Sequence, residues 1–90
     1  MTEEMKHEIE TACRALCEAY ALDCAYCAEA LGPRRHYLAG CGRAPAGRPG
    51  QCRLSARLAL FWHGRLPADA EADVRARFAA VARRLEQEAA

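Results

Sequence analysis

Residues 11–31 of this 90-residue chain read TACRALCEAYALDCAYCAEAL, and the prediction of the fold depends on how this stretch is interpreted. Residues three and four positions apart lie on the same face of a helix. Steps of four, three, four, three and four residues lead along the series Cys13, Cys17, Tyr20, Cys24, Cys27 and Leu31. The pattern predicts one helix over about residues 2–31, with Thr2 as N-cap and Gly32-Pro33 as its end. In an alternative interpretation, Asp23 caps a separate short helix.

The rest of the chain also favours helices. Alanine is abundant while Ile and Val are scarce, which disfavours a β-sheet. Clustered Gly and Pro predict an irregular loop over 32–51, and apolar periodicity predicts helices over about 53–63 and 67–88. We therefore expect an all-α fold: a small three- to four-helix domain spanning 1–90, with a long Gly/Pro/Arg-rich loop stapled by a cysteine-ligated metal centre.

The beginning of the chain bears on compartment. Residues 1–8 are acidic and carry no apolar segment, so they do not have the form of a signal peptide. No stretch approaches the roughly 20 apolar residues that a membrane span needs. We expect a cytoplasmic protein with no membrane partner, in which clustered cysteines bind metal or do redox work. The even number of cysteines leaves a disulfide framework as an alternative.

The arginines are unevenly distributed. Residues 30–68 contain seven arginines and no acidic residue, namely Arg34, Arg35, Arg43, Arg48, Arg53, Arg57 and Arg65. One interpretation is that they offset the negative charge of a thiolate-bound cofactor. The other is that they form a docking patch for an acidic partner or a nucleic acid.

Four cysteines have the spacing C-x2-C-x13-C-x10-C, formed by Cys24, Cys27, Cys41 and Cys52. Structural zinc sites more often use two close pairs, whereas each iron of a [4Fe–4S] cube needs one thiolate, which can come from separate points of the chain. The ligand order resembles that of the high-potential iron–sulfur proteins over residues 24–52. It departs from that family at Gln51, where the family has an aromatic residue.

These patterns lead to three functional hypotheses. The first is a [4Fe–4S] protein, held by Cys24, Cys27, Cys41 and Cys52, that transfers electrons to a protein partner or serves as an accessory subunit of a redox enzyme. Cys13 and Cys17 would be core thiols or a second metal site, with His36 as a further possible ligand. We predict no catalytic residues and no enzyme activity.

The second hypothesis is a zinc-stapled interaction module that docks an acidic partner or nucleic acid through its arginine loop. The third is a thiol-lined helical bundle that binds Cu(I) through Cys13, Cys17, Cys24 and Cys27, because soft thiolates favour Cu(I).

Overall fold

The first helix begins where the sequence predicts and ends well before the predicted boundary. The computed structural model describes residues 2–31 and 33–89. Helix α1 spans Glu3–Tyr20, and the Thr2 hydroxyl caps it by accepting the Met5 N–H at 3.1 Å. Ala21 ends the helix in the left-handed conformation, with φ 54°, and its N–H donates to the Cys17 carbonyl. Gly32, predicted as the helix end, lies outside the described residues.

The all-α prediction is wrong, because the middle of the chain forms a four-stranded antiparallel sheet. The strands are β1 (Cys24–Leu31), β2 (Arg34–Gly42), β3 (Gly50–Arg53) and β4 (Leu58–His63), in the spatial order β2-β1-β4-β3. A 3-10 turn over Ala68–Ala70 leads into helix α2 (Glu71–Ala89), which confirms the last predicted helix. Over the described residues, the chain is therefore an α+β protein with two α-helices.

The helical interpretation of 24–31 fails because the regular cysteine spacing passes from a helix into a strand. Cys13 and Cys17 lie one turn apart on α1, but Cys24 and Cys27 lie on β1. Strand β1 pairs with β2 on one side and with β4 on the other, so that Tyr26 is opposite both Gly40 and Phe61. Pairing on both edges outweighs the weak strand propensity of an alanine-rich segment.

The predictions for 32–51 and 53–63 fail for related reasons. The predicted loop contains all of β2 and the start of β3, and residues 43–49 form the connection between these two strands. The predicted helix over 53–63 is mostly β4, whose sequence LALFWH is a short continuous apolar run. Such a run does not distinguish a buried helix from a central strand.

Both helices lie on one side of the sheet, which we call the covered face. Its core includes Ala25, Cys27 and Leu60 from the two central strands, packed against apolar side chains of both helices. The helices are antiparallel, because the Tyr20 hydroxyl donates to Asp73 at 2.6 Å and Arg84 pairs with Glu8. The predicted apolar stripe of α2 is buried as expected, at Val74, Phe78, Val81 and Leu85.

The opposite side of the sheet, which we call the open face, carries neither of the helices formed by the described residues. Side chains alternate between the faces along a strand, so Tyr26 and Phe61 point away from the helices. Residues 43–49, which we call the crossover loop, connect the two outer strands and must pass the two central ones, a span of about 14 Å. Ala44 and Pro49 of this loop line cavities together with Tyr26 and Tyr37, so the loop passes over the open face. In the part of the chain that the structure describes, no helix is long and apolar enough to cross a membrane.

Candidate functional site

The four cysteines predicted to hold one cluster do not lie around a common point. Cys24 and Cys27 are three positions apart on β1, which places them on opposite faces of the sheet. Cys27 and Cys52 both lie opposite Leu60 but on the strands flanking it, so they are two strands, about 10 Å, apart. Only Cys27 and Cys41 share a face on neighbouring strands, Cys41 being opposite Ala25.

Other sulfurs come together instead, between α1 and the hairpin of β1 and β2. Cys13 and Cys17 lie one turn apart on α1, which packs on both β1 and β2, where Cys27 and Cys41 belong to the covered face. Cys13 and Cys27 are fully buried, whereas Cys17 and Cys41 are half-buried. We call Cys13, Cys17, Cys27 and Cys41 the thiol cluster. All six cysteines of the chain are free thiols.

The surroundings of the thiol cluster raise the pKa of two of its members, Cys13 and Cys17. The hydrogen bond to Cys27, followed by burial, raises the pKa of Cys13 far above its ordinary range. Burial, followed by the neighbouring Cys41 and Cys13, raises the pKa of Cys17 to about 11. Because the thiolate is the reactive form, these two side chains are poor nucleophiles near neutral pH.

The remaining predicted ligands lie apart from this cluster. Cys52 borders a cavity of about 400 Å³ between β3 and the start of α2, together with Trp62 and Val74. His36 is exposed near the start of edge strand β2, whereas Cys41 is near its end. Among residues 2–31 and 33–89, no three His, Cys, Asp or Glu side chains are arranged to hold a metal ion.

An aromatic cluster lies on the open face, across the two central strands and edge strand β2. The rings of Tyr26 and Phe61 stack with centroids 5.2 Å apart at an angle of 13°. Tyr37 extends the cluster at 5.9 Å from Tyr26, and the Arg35 guanidinium lies 4.9 Å from the centre of the Phe61 ring. Tyr37 is 66% exposed, while Phe61 is 3% exposed. The outer part of the cluster is therefore available to a ligand, and Phe61 forms its floor.

Four exposed arginines lie on the open face or in the loop that passes over it. Arg35 and Arg53 belong to the open face, and Arg43 and Arg48 belong to the crossover loop. Ten of the twelve acidic residues lie instead in α1 or in residues 68–89. A further arginine, Arg57, is neutralised by Glu29 at 2.5 Å. We call this set the basic aromatic face: Tyr26, Arg35, Tyr37, Arg43, Arg48, Arg53 and Phe61.

The arginines of this face are evident from the sequence, but its aromatic residues are not. Tyr26, Tyr37 and Phe61 are far apart in the chain, and no spacing motif connects them. They come together only through the register, in which Tyr26 is opposite Phe61 and Tyr37 is opposite Ala28. A correct assignment of the three strands would have been needed to find them.

Comparison of this chain with protein-family models, with curated proteins and with solved structures gives no match.

Proposed function

We propose that this protein is a binding module that docks single-stranded nucleic acid on its basic aromatic face. The observation that carries the proposal is the juxtaposition of an aromatic cluster with four exposed arginines on a helix-free sheet face. This keeps the docking role of the second hypothesis from the sequence and leaves out its zinc staple. A reducing, cytoplasmic setting belongs to the proposal, since all six cysteines are free thiols.

The aromatic residues provide the stacking part of such a site. Unpaired bases stack on aromatic side chains, and each stacked base contributes about 1–3 kcal/mol. Tyr37 offers the most exposed ring, with Tyr26 next to it. Arg35, held over Phe61, presents a planar guanidinium on which a base can also stack.

The arginines provide the electrostatic part. Guanidinium groups bind phosphate through paired hydrogen bonds. Arg43 and Arg48 lie in the crossover loop that passes over the open face, while Arg53 lies on the outer strand β3. A strand that stacks on Tyr37 would therefore meet positive charge on both sides.

The aromatic cluster favours nucleic acid over an acidic protein segment. Either polyanion would be attracted by the arginines, but only nucleic acid also supplies flat rings to stack on exposed tyrosines. The iron–sulfur electron-transfer hypothesis stays a prediction. It has no geometric support, since the four sulfurs lie on both faces of the sheet.

The proposal can be tested by fluorescence anisotropy with a short labelled oligothymidylate over a range of salt concentrations. Four phosphate contacts predict a slope of about −3 in log affinity against log salt. Arg53→Gln should reduce the magnitude of that slope by about 0.7. Tyr37→Ala should weaken binding by about fivefold or more at an unchanged slope, and Tyr37→Phe should retain it.

Arg83→Gln is the matched control, because Arg83 is an exposed arginine on α2, away from the open face. It should bind as the unmodified protein does. Polyglutamate serves as the competing polyanion. If polyglutamate binds as tightly as the oligonucleotide and Tyr37→Ala has no effect, the partner is an acidic protein. Absence of binding at low salt would also overturn the proposal.

A further inference from the structure

We infer that the thiol cluster is a binding site for a soft monovalent metal ion, Cu(I), separate from the basic aromatic face. The inference rests on four sulfurs that three different elements bring into one interface. It is independent of the proposed nucleic-acid function, because the cluster lies on the covered face.

The geometry places the sulfurs as two pairs. Cys13 and Cys17 are one helical turn apart and share a face of α1. Cys27 and Cys41 lie on neighbouring strands of the covered face, and α1 packs directly on both strands. Burial divides the four sulfurs into a fully buried inner pair, Cys13 and Cys27, and a half-buried outer pair, Cys17 and Cys41.

The donor set selects the metal. A structural zinc ion takes four ligands in a tetrahedron, and a [4Fe–4S] cluster takes four thiolates. No group of three donors stands ready in the described part of the chain. Cu(I) prefers thiolates and is satisfied by a single pair of them, so it is the ion that fits sulfurs arranged in pairs.

The four sulfurs differ in burial, so the outer pair is accessible to an ion from solvent and the inner pair is protected from solvent. Cys17 and Cys41 are half-buried and can meet an incoming ion, whereas Cys13 and Cys27 have no exposed surface. Binding to either pair replaces two S–H bonds with two Cu–S bonds and releases two protons, with no change of oxidation state. The apolar surroundings of the inner pair exclude water from the bound ion.

This site differs from the Cu(I) site expected from the sequence in one ligand. A continuous helix would have used Cys24 together with Cys13, Cys17 and Cys27. Cys24 belongs to the other face of β1, and Cys41 takes its place from the neighbouring strand. Cu(I) binding is therefore expected to depend on Cys41 and not on Cys24 or Cys52.

The test is anaerobic titration of the reduced full-length chain with Cu(I) in competition with a chromophoric Cu(I) chelator. We expect the protein to withdraw Cu(I) from the chelator and to gain thiolate-to-copper absorption in the near ultraviolet. Cys17→Ser and Cys41→Ser should each weaken Cu(I) binding by more than about tenfold. Cys52→Ser is the matched control, because Cys52 is also half-buried but lies on β3, and it should bind Cu(I) unchanged.

A second measurement does not depend on the folding of variants. Alkylation of the native protein, followed by peptide mass mapping, should show that Cu(I) protects Cys41 while Cys52 is labelled as before. Equal protection of Cys52 would overturn the inference. So would failure to compete with the chelator, or unchanged binding in Cys41→Ser.

Discussion

Gly40 is the position where a single added methyl group tests the packing of the open face. Gly40 lies opposite Tyr26 in the pairing of β1 with β2. A Cβ atom at this position would lie 2.5 Å from the Tyr26 Cβ and 2.7 Å from the Ala25 carbonyl oxygen. Two of the three nearest atoms are backbone atoms of β1, so the strand itself must move to accept Gly40→Ala.

The expected cost follows from two opposing terms. Overpacking costs about 1–3 kcal/mol, whereas replacing Gly with Ala restricts the unfolded chain and returns about 0.4–1 kcal/mol. We expect a net loss of about 1–2 kcal/mol, which lowers Tm by roughly 5–15 °C in a domain of this size. Urea unfolding followed by fluorescence of Trp62, the single tryptophan, measures the loss directly.

Gly47→Ala provides the contrast. A Cβ at Gly47 would meet nothing within 4 Å, but the φ of 116° disfavours any side chain. This variant should lose stability through its backbone and leave the NMR signals of the Tyr26 ring in place, whereas Gly40→Ala should shift them. A Tm for Gly40→Ala within about 2 °C of the unmodified protein would refute the packing argument.

Three further predictions concern the interactions that stabilise the covered side of the sheet. Phe78→Ala removes a fully buried ring and should cost about 3–5 kcal/mol in urea unfolding; a loss below about 1 kcal/mol would contradict this burial. Hydrogen bonds from Tyr20 and then Arg77 lower the pKa of Asp73, so this carboxylate stabilises the fold above its unfolded pKa of about 3.9. That stability is lost as pH falls through the lowered value, and Asp73→Asn should flatten the acid limb of Tm against pH. Arg57→Leu leaves Glu29 without its partner and should cost about 1–3 kcal/mol by thermal unfolding, with Glu29→Gln as the milder comparison.

The two long helices could be predicted from the sequence because each carries several turns of apolar periodicity and a recognisable beginning. Thr2 caps α1, and the stripe from Val74 to Leu85 is buried in α2. The strands could not, because their stability comes from partners that are distant in sequence. Alanine and cysteine in β1 are tolerated only because β2 and β4 flank it on both edges.

Glycine also misled the prediction of the loop. Gly40 and Gly50 fall within the predicted loop, yet both lie in strands. A larger residue would not fit at either position, because large side chains pack over both. A Cβ atom at Gly40 would lie against Tyr26, and a Cβ atom at Gly50 would lie 2.5 Å from the nearest atom of the Trp62 ring. A glycine needed for close packing looks the same in sequence as a glycine needed for a turn.

The candidate sites show the same limit. Four thiols lie in the interface between α1 and the hairpin of β1 and β2, but they are not the four that the spacing favours. Whether Cys24 or Cys41 belongs to the cluster depends on which face of the sheet each side chain lies on. That face follows from the alternation of side chains along a strand, which a prediction of a helix does not consider. The arginines were found from composition, while the aromatic residues beside them required the register.

The order of the strands has a consequence for how the molecule reaches its native state. The pairings of β1 with β2 and of β3 with β4 each join segments that are close in sequence, and these two hairpins can form early in folding. The pairing of β1 with β4 brings Tyr26 opposite Phe61, and it closes a loop of the chain that contains both β2 and β3. Closing this longer loop costs more conformational entropy, and that cost precedes the stabilising contacts between the two strands. We therefore expect the pairing of the two hairpins to limit the folding rate.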